Sequence, residues 1–162
     1  MKIRRYRKGE EQTLWSLLYK TVHKVNSKDY TQAQVEAWAP SQWNLPNWIK
    51  RLNKTNPFVA EKDNQIIGFA ELESNGHIDC FYCAHDWQRK GVGSSLLQAI
   101  EHEAIQLGIS HLFAEASLAA RGFFEKKGFS VEVEQTVSLR GEQFTNYAVS
   151  KRISSYRDRN EL

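Results

Sequence analysis

Asp86-Trp87-Gln88-Arg89-Lys90-Gly91-Val92-Gly93-Ser94-Ser95-Leu96-Leu97 is the stretch on which the fold turns. His77 to Ala84, just before it, has the pattern of a strand. After it, Leu96, Leu97, Ile100, Ala104 and Leu107 recur at helical spacing as a buried stripe, and Gly108 ends the run. The stretch therefore joins a strand to a long helix. Gly91 and Gly93 remove side chains at the first turn, so backbone N–H groups can come close to a ligand. The unpaired N–H groups of a helix start, together with its dipole, suit a phosphate. Arg89 and Lys90 place positive charge beside them. The plain alternative is an ordinary strand-to-helix connection with a solvated basic pair, since short glycine motifs recur by chance. Two familiar phosphate loops do not fit. Gly91-Val92-Gly93 lacks the spacing of a Walker loop, and Leu96 stands where a dinucleotide-binding fingerprint needs its third glycine.

Working outward, Met1 to Arg5 starts a strand, and Leu14, Leu17, Leu18, Val22 and Val25 predict an amphipathic helix over about 10–25. Shorter helices are expected over about 31–38 and 46–54. Pro57 to Glu61 and Gln65 to Glu73 form a hairpin around Asp63-Asn64, and Asn75-Gly76 turns into His77 to Ala84. Beyond the long helix, His111 to Ala116 should run parallel to the strand before that helix. A helix over about 118–127 ends at Gly128. Val131 to Val137 and Gln143 to Lys151 close the chain as a hairpin around Arg140-Gly141. The result is an α/β fold with a mixed, mostly antiparallel central sheet and helices on both faces.

Composition narrows the function. At 162 residues the chain is sized for one domain, 1–153, with a polar tail over 154–162 expected to fray. A hydrophobic share of 41% supplies a full core. No run approaches the roughly 18 apolar residues of a membrane span, and none follows the basic start Lys2-Ile3-Arg4-Arg5 as in a secretory signal. Only Cys80 and Cys83 are present, too few for a disulfide framework, so a cytoplasmic home is expected. A net charge of +3 is too small an excess for a nucleic-acid partner.

Gln88-Arg89-Lys90-Gly91-Val92-Gly93 resembles the Q/R-x-x-G-x-G/A signature of the GNAT superfamily of N-acetyltransferases. Ala120-Arg121-Gly122-Phe123-Phe124-Glu125-Lys126-Lys127-Gly128-Phe129 resembles that family's A-x-x-F-Y-x-x-x-G-F helix, at the family's spacing. Glu115-Ala116-Ser117 and Thr145-Asn146-Tyr147 look like those of its small bacterial members. The resemblance implies acetyl-CoA as co-substrate, a primary amine of a small molecule or peptide as acceptor, and direct attack in a ternary complex without a metal. It implies that Gln88, Arg89, Lys90, Gly91, Val92, Gly93 and Ser94 hold the pyrophosphate. The pantetheine arm would pair along Tyr82, Cys83 and Ala84, in a slot opened by a splay between the fourth and fifth strands. A backbone N–H near Cys83 would polarise the thioester carbonyl. Phe123 would pack on the cofactor, and Lys126 or Lys127 would approach its phosphates. Dimers are common among the proteins it resembles.

The chain departs from the family at Phe124, where a proton-donating tyrosine is common, and at Ser117, where asparagine is common. Phe124 reads as a core aromatic, and its loss of a hydroxyl motivates a rival reading, a non-catalytic acyl-CoA-binding module. A leaving thiolate with a pKa of about 8.5 needs little help at neutral pH. Tyr147 is the residue placed to supply a hydroxyl, or else it is an ordinary sheet aromatic. The amine, with a pKa of about 10, must lose a proton, and Glu71 is the first candidate base, ahead of Asp79 and Glu115. Alternation puts Phe69, Glu71 and Glu73 on one strand face, with Ile66, Gly68, Ala70 and Leu72 on the other. His77, Cys80, Cys83 and His85 are zinc-type residues, but a strand would turn Cys80 away from His77 and Cys83, so no metal is expected. Acetyl transfer through either cysteine is the weaker route. Trp15, Trp38, Trp43 and Trp48 would wall the acceptor site or fill the core.

Overall fold

The computed structural model describes residues 1–154, so all of the expected tail except Ser154 lies outside the described residues. In chain order the elements are β1 (Lys2–Arg5), α1 (Glu11–Lys24), α2 (Gln32–Trp38), α3 (Leu45–Thr55), β2 (Phe58–Lys62), β3 (Gln65–Leu72), β4 (Ile78–Cys83), α4 (Val92–Gln106), β5 (His111–Ala116), α5 (Arg121–Lys126), β6 (Ser130–Leu139) and β7 (Glu142–Arg152).

Local chemistry sets the helix ends. Thr31 accepts from the Gln34 N–H at 3.1 Å, and Gln34 accepts in return from the Thr31 N–H at 2.8 Å, a capping box that opens α2. Asn44 caps α3 through the Asn47 N–H at 3.0 Å, and Asn56 leaves it in the left-handed region at φ 45°. In α4 the buried stripe is Val92, Leu96, Leu97, Ile100 and Ala104. Leu107 does not join it. It is the residue at which the helix stops, and it is exposed.

The expected splay between the fourth and fifth strands divides the mixed sheet in two. β1-β2-β3-β4 form one antiparallel sheet and β5-β7-β6 another. β4 and β5 run parallel, as expected, but meet at a single bridge, His77 with Phe113. At that vertex the Phe113 N–H donates to the Gly76 carbonyl at 3.1 Å. Gly76 sits at φ 95°, and any Cβ there would run into the His111 carbonyl oxygen. Only glycine lets the β3–β4 turn lie against β5.

β3 is covered on both faces. One core cluster joins Ile67, Ala70 and Ile78 to Leu96, Ile100, Leu112 and Phe124, on the side of α4 and α5. The other joins Phe69 and Val59 to Leu14, Val22, Trp48 and Leu52, on the side of α1 and α3. Phe69 and Glu71 share the second face, as alternation predicts, with Ala70 and Leu72 opposite. Ile66 departs, packing with Phe69, because the β2–β3 register slips after Ala60 and shifts that end of β3 by one residue.

Gly76→Ala is expected to cost about 2 kcal/mol or more in unfolding free energy, combining a left-handed Cβ with overpacking. Chemical denaturation reads it, and wild-type stability in this variant would contradict the packing described for the vertex.

Candidate active site

β4 ends in a short 3₁₀ turn, His85–Trp87, and Gln88 Nε2 reaches back to the carbonyl of Cys83 at 2.8 Å. Arg89 then enters the left-handed region at φ 58°, and Gly91, at φ 84°, is the residue from which α4 starts. No side chain caps this helix, so the N–H groups of its first turn, from Val92 to Ser94, have no partner within it. Val92 turns its side chain into the core, leaving only backbone on the open side. A Cβ at Gly93 would stand 3.1 Å from the Phe123 ring, so that glycine keeps the helix start close to α5. Lys90 carries its ammonium 5.0 Å over the ring of Trp87.

From this helix start a cavity of about 1040 Å³ runs along β4 and between the two sheets. Tyr82, Cys83, Gln88, Arg89, Gly91, Val92, Gly93, Ser94, Phe123 and Lys126, all expected at the cofactor site, line it. Ala84 and Lys90 do not. Ala84 is buried, and its N–H donates inward to the Ile67 carbonyl at 2.8 Å. Because backbone groups alternate along a strand, Cys83 faces the other way, toward the slot, and so does Phe81 two residues before it.

The slot edge of β4 contains a bulge that periodicity alone does not reveal. Glu71 lies opposite Asp79, but Phe69 lies opposite Tyr82, so Cys80 and Phe81 together face Ala70. Cys80 takes φ 44° there. The bulge brings the side chains of Asp79 and Cys80 to the same guanidinium, that of Arg51 on α3. Arg51 Nη2 lies 2.8 Å from Asp79 Oδ2 and 3.0 Å from Cys80 Sγ.

Glu71 holds that guanidinium from behind. Its carboxylate is fully buried and accepts from Arg51 Nη2 at 2.6 Å, from Arg51 Nε at 3.2 Å, and from Thr55 Oγ1 at 2.5 Å. Burial disfavours the Arg51 charge, but Glu71 and its neighbours outweigh that and raise its pKa above the ordinary value. The expectation that Glu71 meets the amine is corrected on this point. α3 covers that part of β3, and Glu71 does not line the cavity. Tyr147 takes the other of its two expected roles, a sheet aromatic: Arg121 lies 4.4 Å over its ring, and Tyr147 is absent from the cavity wall. Phe124 is a core aromatic, packed with Phe81, Phe123 and Phe129.

The other end of the cavity is acidic and aromatic. Asp79 and Glu115 line it, with His77, Trp38 and Tyr82. His77 spans the vertex, with Nδ1 2.5 Å from Glu73 and Nε2 2.5 Å from Glu115. Burial opposes its charge, yet the two carboxylates prevail and raise its pKa. Glu115 Oε2 is taken by His77, whereas Oε1 has no hydrogen-bond partner among the described residues. Tyr82 was expected to act through its backbone. Its hydroxyl also matters, accepting from Trp38 Nε1 at 2.9 Å, and burial pushes its pKa well above the phenol range. Of the four tryptophans expected to wall the acceptor site or fill the core, Trp38 lines the cavity. Trp48 is buried, and Trp15 stacks on Trp43 at 4.9 Å away from it.

Two sets of metal-type ligands converge, Glu71–Asp79–Cys80 and Glu73–His77–Asp79, each within 4.8 Å. In the first, the Arg51 guanidinium already supplies the positive charge. Cys80 and Cys83 pack into different core clusters. Burial pushes the Cys83 thiol up to about 11 and Cys80 well above its usual value, which disfavours the thiolate of each at neutral pH.

Comparison with known proteins gives a consistent answer. The profile of a family described as an acetyltransferase (GNAT) domain matches residues 26–151. An uncharacterized N-acetyltransferase of Escherichia coli K12, YafP, is 32% identical over 147 residues, covering 91% of this chain and 93% of the relative. Among solved structures, a GCN5-related N-acetyltransferase from Rhodopseudomonas palustris superimposes with a TM-score of 0.90 at 28% identity, covering 94% of this chain and 95% of that one. The PaiA N-acetyltransferase of Thermoplasma acidophilum, solved with coenzyme A, has a TM-score of 0.77 at 20% identity, over 94% and 98% of the two chains.

The raised thiol pKa values set an expectation for reactivity. At pH 8 Cys83 of the folded protein should react with iodoacetamide about a hundredfold or more slowly than a free thiol, and Cys80 should also be slower than a free thiol. Denaturant should remove the difference. Rapid labelling of the native protein at pH 8 would contradict it.

Proposed function

From the premise that the chain belongs to the GNAT family of N-acetyltransferases, we propose that it moves an acetyl group from acetyl-CoA to a primary amine of a small molecule or peptide, by direct attack in a ternary complex. The observation that carries this reading is one continuous cavity, with Arg89 at the glycine-rich helix start, Lys126 of α5 on its wall, and Asp79 and Glu115 toward the other end of β4. An anionic cofactor suits the first end and a cationic amine the second.

The N–H groups from Arg89 to Ser94 hold the pyrophosphate, helped by the dipole of α4. The outward N–H groups of Phe81 and Cys83 bind the pantetheine arm as an added strand would, and one of them polarises the thioester carbonyl. Acetyl-CoA supplies the activated acetyl group, and the thiolate it leaves behind is stable enough to need no protein acid. Phe124 is therefore no obstacle to catalysis. Glu115 takes the proton of the amine, directly or through one water, in place of Glu71. Among the cavity carboxylates it is the one with a free oxygen, since Asp79 spends Oδ1 on the Cys80 N–H and Oδ2 on Arg51. No step calls for a metal. A cytoplasmic home belongs to the same reading, supported by a chain with only two cysteines.

The acceptor is found by incubating the protein with acetyl-CoA and a panel of polyamines, aminoglycosides, amino acids and peptides, and reading product mass. Gly91→Glu should abolish acetyl-CoA binding in calorimetry, because it forces a side chain into a left-handed position and puts an anion at the cradle. Unchanged affinity would remove the pyrophosphate from that position. Glu115→Gln should lower kcat/KM about a hundredfold at pH 7. The loss should shrink toward pH 10, where the amine deprotonates in water. A pH–rate profile parallel to wild type would mean that Glu115 is not the base.

A further inference from the structure

We propose that Arg51 is a positioning residue for acetyl transfer, holding the β4 bulge in the conformation that aims the Phe81 N–H into the slot. The inference rests on the reading of that slot as the thioester site.

Cys80 is a non-glycine residue at φ 44°, and such a residue stays there only when its surroundings hold it. What holds it is visible. Arg51 Nη2 meets the Asp79 carboxylate at 2.8 Å and the Cys80 sulfur at 3.0 Å. Asp79 Oδ1 then accepts from the N–H of Cys80 itself at 2.9 Å. These are the two residues that immediately precede Phe81, so the plane of the peptide that carries the Phe81 N–H is set by what ties them. The guanidinium is fixed in its turn by Glu71, buried and bonded on both oxygens, and Thr55, one helical turn further along α3, donates its hydroxyl to that carboxylate. Nη2 meets Asp79, Cys80 and one Glu71 oxygen while Nε reaches both Glu71 oxygens, a grip by two nitrogens that a lysine, whose single ammonium ends one bond short of Nη2, does not reproduce. Glu71 thus serves the reaction without touching substrate.

Arg51→Lys is the informative variant, because it keeps a cation against buried Glu71 while giving up the reach to Asp79 and Cys80. Turnover with the best amine of the panel is expected to fall at least tenfold in kcat. The dissociation constant of desacetyl coenzyme A and the KM of the amine should stay within about twofold, and the shape of the pH profile should not move. Cys80→Gly, which makes the left-handed conformation free of strain, should restore part of the lost kcat when combined with Arg51→Lys. Infrared spectra of bound acetyl-CoA labelled with carbon-13 at the thioester carbonyl give a readout independent of turnover. The carbonyl stretch should lie at higher frequency in Arg51→Lys than in wild type, as a hydrogen bond to it weakens. Unchanged kcat and carbonyl stretch in Arg51→Lys would overturn the inference, and so would a shifted pH profile, which would put the cluster in proton transfer. Failure of the underlying reading looks different. Wild type itself would then bind no acetyl-CoA, or bind it and acetylate no amine.

Discussion

The parting of β4 from β5 is the constraint on which the rest of the molecule depends. Two antiparallel sheets lie side by side with parallel neighbouring strands, and a single bridge, His77 to Phe113, joins them. Were the strands paired throughout, their backbone groups would satisfy one another and no slot would exist. Being parted, they leave the outer edge of β4 with N–H and carbonyl groups to spend. The vertex is therefore built with care. Gly76 allows a backbone contact that no side chain would permit, and His77 draws Glu73 and Glu115 together across it.

The cavity that results is graded in charge. Bare helix N–H groups, Arg89 and Lys126 line it on the α4 and α5 side, and Asp79 and Glu115 line it beside Trp38 and Tyr82. Also lining it is the bulge at Cys80. Several features that look separate converge on it: a buried acid on the central strand, an arginine on α3, and a left-handed residue on β4. The buried Glu71–Arg51 pair need not add to stability, since a desolvated ion pair often only breaks even. Its value lies in placing the residues before Phe81.

Much of this was legible in the sequence, for physical reasons that differ from place to place. The helix start at Gly91 could be read because a left-handed turn followed by a bare helix end leaves few residue choices. The element order could be read because turns such as Asp63-Asn64 and Asn75-Gly76 punctuate strands with marked composition. The bulge could not, since one extra residue in β4 changes neither composition nor length enough to notice. In the sequence Glu71 reads as a base facing the amine because alternation fixes a side, not what covers it, and its partner comes from 20 residues earlier in the chain. A buried acid on a central strand demands a cation, and that rule, applied to the basic residues of α3, is the signal that points to Arg51. Tyr147 had the right chemistry on the right strand, but the distance from β7 to the slot is a property of the assembled sheets. Leu107 fitted the helical period and fell one residue past the helix end.

The proposed function requires the edge of β4 and the start of α4 to hold acetyl-CoA together. Backbone amide chemical shifts test it most directly, followed in the nitrogen-15-labelled protein as acetyl-CoA is added. The expected result is a set of large shifts at Phe81, Cys83, Gly91, Gly93 and Ser94, with the far ends of β6 and β7 unmoved. Saturable binding that leaves those five amides in place and shifts others would contradict the account.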